Sequence, residues 1–128
     1  MSHDLETFTT GVLPASLPFC SAVRAGWTVY VSGNIGNPAG ELSLVEGGIA
    51  AETRQALAHM EKALHAAGSS KERVVKCLIF LVDMADFQAM NETYEAFFGG
   101  HRPARSTVAV AGLAIGAKIE IECIALAG

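Results

Sequence analysis

An apolar stretch between two amphipathic segments is the feature that most constrains how this chain can fold. Residues 74–82 are all apolar except Lys76, and the run ends at Asp83. A continuous apolar run of this length is typical of a strand buried on both faces. Apolar residues recur at helical spacing before this strand, over residues 49–67, and after it, over residues 87–97. A helix on each side of a buried strand predicts a βαβ crossover, and therefore parallel strands in the sheet.

Short segments with strand character lie at both ends of the chain. Residues 22–24 and 28–32 flank a turn at Ala25-Gly26 and predict a hairpin. Residues 106–111 and 117–126 predict two more strands. The predicted order is therefore ββ, α, β, α, ββ. This order indicates an α+β fold, in which a mixed sheet carries two helices on one face and no helix on the other.

The chain contains few charged residues, which fits a sheet face that other copies of the chain cover. The 128 residues are 51% hydrophobic and only 17% charged, whereas a soluble domain has about 25% charged residues. The length allows one domain, spanning residues 1–128, with one core. We expect this domain to bury part of its surface against other copies of itself in an oligomer.

Charge and cysteine content narrow the possible functions. The net charge is −4, and the nine lysines and arginines are scattered along the chain, so no basic stripe is available for nucleic acid. No apolar run approaches the length of a membrane span, and the N-terminus lacks the features of a signal peptide. The three cysteines indicate reduced thiols and a cytoplasmic location; they are Cys20, Cys77 and Cys123.

Two features in the last quarter of the chain could carry chemistry. Arg105 follows a proline at the start of a predicted strand, where its guanidinium could bind a carboxylate with two parallel hydrogen bonds. Glu120 and Glu122 alternate with Ile119 and Ile121, so the two acids share one face of a strand. A covered carboxylate there would have a raised pKa and could transfer protons near neutral pH. A solvated arginine and an ordinary polar strand face are the alternatives.

Residues 103–108 (Pro-Ala-Arg-Ser-Thr-Val) and 117–122 (Ala-Lys-Ile-Glu-Ile-Glu) resemble the RidA/YjgF family of enamine/imine deaminases. The similarity extends to four further segments: residues 17–23, 31–35, 47–68 and 87–94. It therefore covers nearly the whole chain. The resemblance implies a chorismate-mutase-like fold and a homotrimer in which three sheets form a central barrel, with ligand clefts between the subunits.

The activity that the resemblance implies is hydrolysis of 2-aminoacrylate and related 2-imino acids to 2-keto acids and ammonia, without a metal or cofactor. Arg105 would hold the substrate carboxylate, Glu120 would activate the attacking water, and the backbone at Thr107 would contact the substrate. We expect Arg105 and Glu120 to face one cleft at a subunit boundary. The other implied substrate-binding residues are Phe19, Ser32 and Asn91.

Three alternatives to imino acid hydrolysis remain open from the sequence. Deaminases of the family commonly carry a tyrosine where this chain has Phe19, and a non-catalytic protein that binds small carboxylates would tolerate that change. A deaminase of another small molecule in a degradation pathway is also compatible with the motifs. An RNA-cleaving role is disfavoured by the negative net charge.

Overall fold

A computed structural model describes residues 4–128, and one six-stranded sheet runs through it. In chain order the strands are β1 (Leu5–Phe8), β2 (Ala22–Ala25), β3 (Thr28–Asn34), β4 (Val74–Leu81), β5 (Ala104–Ala109) and β6 (Ile119–Leu126). The helices are α1 (Gly48–Ala66) and α2 (Phe87–Phe98). Across the sheet the order is β1-β2-β3-β6-β4-β5, with β4 and β5 parallel and all other neighbours antiparallel. The predicted mixed α+β fold is confirmed.

The core lies between the two helices and one face of the sheet. Leu57 and Met60 of α1, Met90 of α2 and the sheet residues Ile79 and Ile121 are all fully buried there. The alternation of Ile119, Ile121 and Cys123 with half-buried residues along β6 shows which face this is. We call it the helix face and the opposite side the open face.

No described element covers the open face, although it is rich in apolar side chains. Tyr30 of β3 and Val108 of β5 are 49% and 42% exposed, and Leu78, Phe80 and Ile124 are half-buried. The prediction that β4 is buried on both faces is therefore wrong for a single chain. Only the side of β4 that faces the helices is fully covered, because no second layer packs on the other side.

Helix α1 spans nearly the same residues as the predicted helix over 49–67. Gly68, with φ 80°, ends α1, and the amide of Ser69 donates to the carbonyl of Leu64 at 2.8 Å, as in a Schellman motif.

Strand β1 was not predicted. Its residues are mostly exposed and show no alternation of apolar and polar side chains, so only the antiparallel pairing with β2 defines it. Neither helix is long and apolar enough to cross a membrane, within residues 4–128.

A buried asparagine fixes the loops that lead to the open face. The Asn37 side chain is 1% exposed and donates hydrogen bonds to the carbonyls of Val12, at 2.8 Å, and Glu41, at 3.0 Å. The carbonyl of Asn37 accepts a hydrogen bond of 2.7 Å from Nε2 of the buried His59 on α1. These bonds join the segment before β2 to the segment before α1, and they anchor both to the helix.

Candidate functional site

The candidate residues fall into two groups on opposite faces of the sheet. Arg105 is in register with Cys77, whose side chain is buried on the helix face. Glu120 is in register with Phe80 on the open face. The expectation that Arg105 and Glu120 face one cleft is therefore not met within one chain, because the alternation of side chains sends them to opposite sides. The two can meet only if they come from different copies.

Two aromatic rings of α2 hold the Arg105 guanidinium. Its central carbon lies 4.8 Å from the ring centroid of Tyr94 and 5.6 Å from that of Phe87. Phe87 and Tyr94 are seven residues apart, so two turns of the helix bring both rings to the same side. Cation–π contacts of this kind stabilise and orient a guanidinium. Among residues 4–128 no carboxylate forms an ion pair with Arg105, so its charge is available to a ligand.

Two unpaired polar atoms lie on the helix face of the sheet, as Arg105 does. Oδ1 of Asn91 on α2 and Oγ1 of Thr107 on β5 are buried and have no hydrogen-bond partner among the described residues. Asn91, Tyr94 and Arg105 line a cleft of about 230 Å³. Because buried polar atoms are nearly always hydrogen-bonded, such unpaired atoms mark a place where a ligand or water would supply the partner.

The groups behind Arg105 are uncharged. Burial raises the pKa of the Cys77 thiol, although the nearby Tyr94 hydroxyl and Arg105 guanidinium act against the rise. Burial also raises the pKa of the Tyr94 hydroxyl, and the Cys77 thiol adds to this. Both groups therefore stay protonated at neutral pH, and neither neutralises Arg105. We call Arg105, Asn91, Tyr94 and Thr107 the guanidinium half-site.

Glu120 occupies a different environment, next to an irregular stretch of β3. The register of β3 against β6 shifts between Val31 and Asn34, which inserts one extra residue as a β-bulge. The Glu120 carboxylate packs directly against Gly33 in this bulge, in the space that a Cβ would occupy. Burial raises the pKa of Glu120, and the negative charge of Glu122 on the same face adds to the rise. A carboxylate of this kind can accept and return a proton closer to neutral pH than an exposed one.

Phe19 and Ser32 lie on the same side of the sheet as Glu120. The Ser32 hydroxyl donates a hydrogen bond of 2.7 Å to the carbonyl of Cys20, which holds the preceding Phe19 beside the bulge. The Phe19 ring is 53% exposed. Phe19, Gly33 and Glu120 line one cleft of about 290 Å³. We call this group, with Ser32, the carboxylate half-site.

Sequence reasoning missed the residues that support the two charged groups. Phe87 and Tyr94 were predicted only as part of the apolar face of a helix, and Gly33 only as part of a segment, residues 31–35, that resembles the family. The seven-residue spacing of the two aromatic residues is compatible with a clamp on a neighbouring strand, but the sequence does not show which strand α2 packs against. The bulge at Gly33 produces no distinct pattern in the amino-acid sequence.

Comparisons with known proteins agree with this arrangement of elements. The family model described as Endoribonuclease L-PSP matches residues 10–127. A mouse protein named 2-iminobutanoate/2-iminopropanoate deaminase is 40% identical over 124 residues, which is 96% of this chain and 92% of the mouse protein.

Two solved structures from Escherichia coli superimpose closely on this chain. The YjgF gene product has a TM-score of 0.86 at 38% identity and covers 94% of this chain and 98% of its own. TdcF with bound serine has a TM-score of 0.88 at 31% identity, and the match covers 96% of this chain and 99% of the TdcF chain. The resemblance read from the C-terminal motifs is thereby confirmed, and the chain belongs to the Endoribonuclease L-PSP family, which contains the RidA/YjgF proteins.

Proposed function

We propose that this protein hydrolyses 2-imino acids, and enamines such as 2-aminoacrylate, to 2-keto acids and ammonia. The observation that carries the proposal is the Arg105 guanidinium, which is oriented by two rings and has no acidic partner among residues 4–128. A guanidinium held in this way suits the carboxylate that every 2-imino acid carries. The name of the mouse relative supports the reaction, and the serine in the TdcF structure supports a ligand of amino-acid size.

The two half-sites require an assembly. Arg105 lies on β5, which is an edge strand, while Glu120 lies on an open face whose apolar side chains have no cover among the described elements. If the β5 edge of one protomer lies against the open face of its neighbour, Arg105 of one copy faces Glu120 of the next. Three such contacts close into the homotrimer that the family resemblance implies. Burial of the open face would also explain the low charge content.

In the proposed mechanism, Arg105 binds the substrate carboxylate through two parallel hydrogen bonds and so fixes the position of the imine carbon. A water attacks this carbon of the protonated imine while Glu120 accepts one of its protons, which gives a carbinolamine. Glu120 then returns the proton to the nitrogen and takes the proton of the carbinolamine hydroxyl as the C–N bond breaks. The 2-keto acid leaves, and ammonia leaves as ammonium with the proton that Glu120 took. An enamine first takes a proton at its terminal carbon to become the imine. One water is consumed for each ammonia released, and no other co-reactant is needed.

The remaining candidates position the substrate in this proposal. In this proposal the backbone at Thr107 contacts the substrate, and the unpaired Oδ1 of Asn91, in the lining of the Arg105 cleft, offers a hydrogen bond. Phe19 and Ser32 shape the opposite wall, next to Glu120. The free thiols of the chain fit a reducing compartment, so we assign the protein to the cytoplasm.

The test follows the release of 2-keto acid and ammonia from imino acids that an amino-acid oxidase generates in situ. We expect the wild type to accelerate hydrolysis of 2-iminobutanoate well above the spontaneous rate, and Arg105→Ala to abolish that acceleration. Arg54→Ala, which removes an exposed arginine of α1, is the matched control and should behave as the wild type. Equal turnover by Arg105→Ala and the wild type would disprove the proposal.

A protein that binds small carboxylates without turnover is the second candidate, favoured by the phenylalanine at position 19. Isothermal titration calorimetry with 2-ketobutanoate separates the two candidates. Binding that disappears in Arg105→Ala, together with no acceleration of any imino acid, would replace the deaminase proposal with this one.

A further inference from the structure

The cleft beside Glu120 is almost entirely apolar. Besides Phe19 and Gly33 it is lined by aliphatic side chains, and Glu120 is the one charged residue in its lining. The aliphatic residues of the lining are Leu13, Leu17, Ile35, Leu42, Ala114 and Ile115. A cleft of about 290 Å³ with this lining is suited to a ligand that places an apolar group beside a carboxylate.

Three of these apolar side chains are exposed to a degree that packing within the chain does not explain. Phe19 is 53% exposed, Leu42 55% and Ile115 46%. They come from three separate segments of the chain: the loop before β2, the segment before α1, and the turn before β6. Apolar side chains that converge on one cleft and remain exposed are typical of a binding surface.

The backbone at Ile115 gives independent evidence. Ile115 has φ 50° and ψ 24° and is the one non-glycine residue with positive φ among the described residues. This left-handed conformation is unfavourable for any L-residue and most of all for a β-branched one, whereas glycine or asparagine adopts it easily. Strain of this kind persists where the surroundings or the function require it. Because the side chain is nearly half exposed, burial in the core is not what requires it.

We propose that Ile115, together with Phe19 and Leu42, forms an apolar wall that selects 2-imino acids with long or branched aliphatic side chains. The substrate class is that formed by oxidation of the α-amino group of leucine, isoleucine or methionine. The inference rests on the proposed function, since it assigns the apolar cleft to the side chain of the substrate that Glu120 hydrolyses. The single methyl group of 2-iminopropanoate would leave most of the cleft filled with water, whereas each further methylene buries apolar surface and improves binding.

The experiment compares kcat/KM for the imino acids derived from leucine and from alanine. We expect the wild type to favour the leucine-derived substrate by about tenfold or more, and Ile115→Gly to reduce that ratio by about tenfold. Because glycine relieves the strained backbone, Ile115→Gly should also raise Tm by about 3 °C. Ile115→Asn also adopts the left-handed conformation and should lose the preference, while Ile115→Leu keeps an aliphatic side chain and should retain it.

Met84→Gly is the matched control. Met84 is 45% exposed and lies in a short 3-10 turn, as Ile115 does, but it does not line the cleft. It has no positive φ to relieve, so Met84→Gly should lower Tm and leave the substrate ratio unchanged.

The outcomes separate this inference from the proposed function. An unchanged ratio in Ile115→Gly would overturn the selectivity inference, and an unchanged ratio with a lower Tm would make Ile115 a structural residue. A wild type that turns over both substrates equally, while Arg105→Ala turns over neither, would overturn the selectivity and leave the deaminase proposal intact. A wild type with no turnover of any imino acid would overturn both the selectivity inference and the deaminase proposal.

Discussion

The guanidinium half-site and the carboxylate half-site are built in contrasting ways. Arg105 projects from a regular strand toward a regular helix, where Tyr94 and Phe87 hold it. Glu120 also projects from a regular strand, but its neighbours are a β-bulge at Gly33 and a strained turn at Ile115. The first environment contains unpaired polar atoms and the second is almost wholly apolar.

This contrast fits the roles that we propose for the two charged groups. A guanidinium that binds a carboxylate needs a fixed orientation and polar neighbours, which ordinary secondary structure provides. A carboxylate that activates water needs a raised pKa and open space in front of it, so the backbone must recede and apolar side chains must surround it. The β-bulge at Gly33 and the left-handed Ile115 both lie on the side where proton transfer is proposed.

The largest effect is expected from Glu120→Gln, which keeps the shape of the carboxylate half-site but removes its base. We expect kcat to fall by about 10²–10⁴-fold, since Glu120 is the one charged residue in the lining of that cleft. A wild-type pH profile should show activity falling as the pH drops through the raised pKa of Glu120. A Glu120→Gln variant with nearly full activity would mean that the water is activated from elsewhere.

The same substitution should make the protein more stable at pH 7. Because the pKa of Glu120 is higher in the folded state than in the unfolded state, ionisation favours unfolding. The contribution of Glu120 to the free energy of unfolding is therefore lost as the pH rises from the ordinary pKa of a glutamate through the raised pKa of Glu120 in the folded state. Urea unfolding at pH 4 and pH 8 should show a smaller loss of stability with rising pH in Glu120→Gln than in the wild type. An equal loss would contradict the raised pKa.

Gly33→Ala tests whether the space at the bulge matters for activity. The added methyl group would displace the Glu120 carboxylate, so we expect kcat/KM to fall by about tenfold or more while stability changes little, because a flexible side chain can move aside. Gly112→Ala is the control, since a Cβ there meets nothing within 4 Å and the residue has no positive φ. If both variants behave alike, the close approach of Glu120 to Gly33 has no catalytic role.

The smallest effect is expected from loss of a ring at the guanidinium half-site. Tyr94→Leu removes one cation–π contact worth about 0.5–2 kcal/mol, which corresponds to an increase in KM of about two- to thirtyfold. Tyr94→Phe keeps the ring and should stay close to the wild type. If Tyr94→Phe is as impaired as Tyr94→Leu, the hydroxyl rather than the ring positions Arg105.

The sequence predicted the fold well because its periodicities are strong, but it predicted the relation between the half-sites poorly. The alternation of Ile119 and Ile121 with Glu120 and Glu122 on β6 is clear, and the structure follows it. On β5, Arg105 and Thr107 alternate with Ser106 and Val108, which leaves no obvious apolar side. Nothing in the sequence therefore indicates that the arginine lies on the helix face, since the rings that receive it come from α2. Likewise, the strain at Ile115 depends on a backbone angle that no residue pattern reveals.

The central claim is that Arg105 and Glu120 act together across a boundary between copies of this chain. Its most direct test mixes Arg105→Ala with Glu120→Ala, each inactive alone, by co-expression or joint refolding. In a closed ring of random composition, about a quarter of the boundaries would combine an intact Arg105 with an intact Glu120. We therefore predict about a quarter of wild-type imino acid turnover in the mixture and none in the double variant. A mixture that assembles into mixed oligomers yet stays as inactive as its two parents would contradict the account.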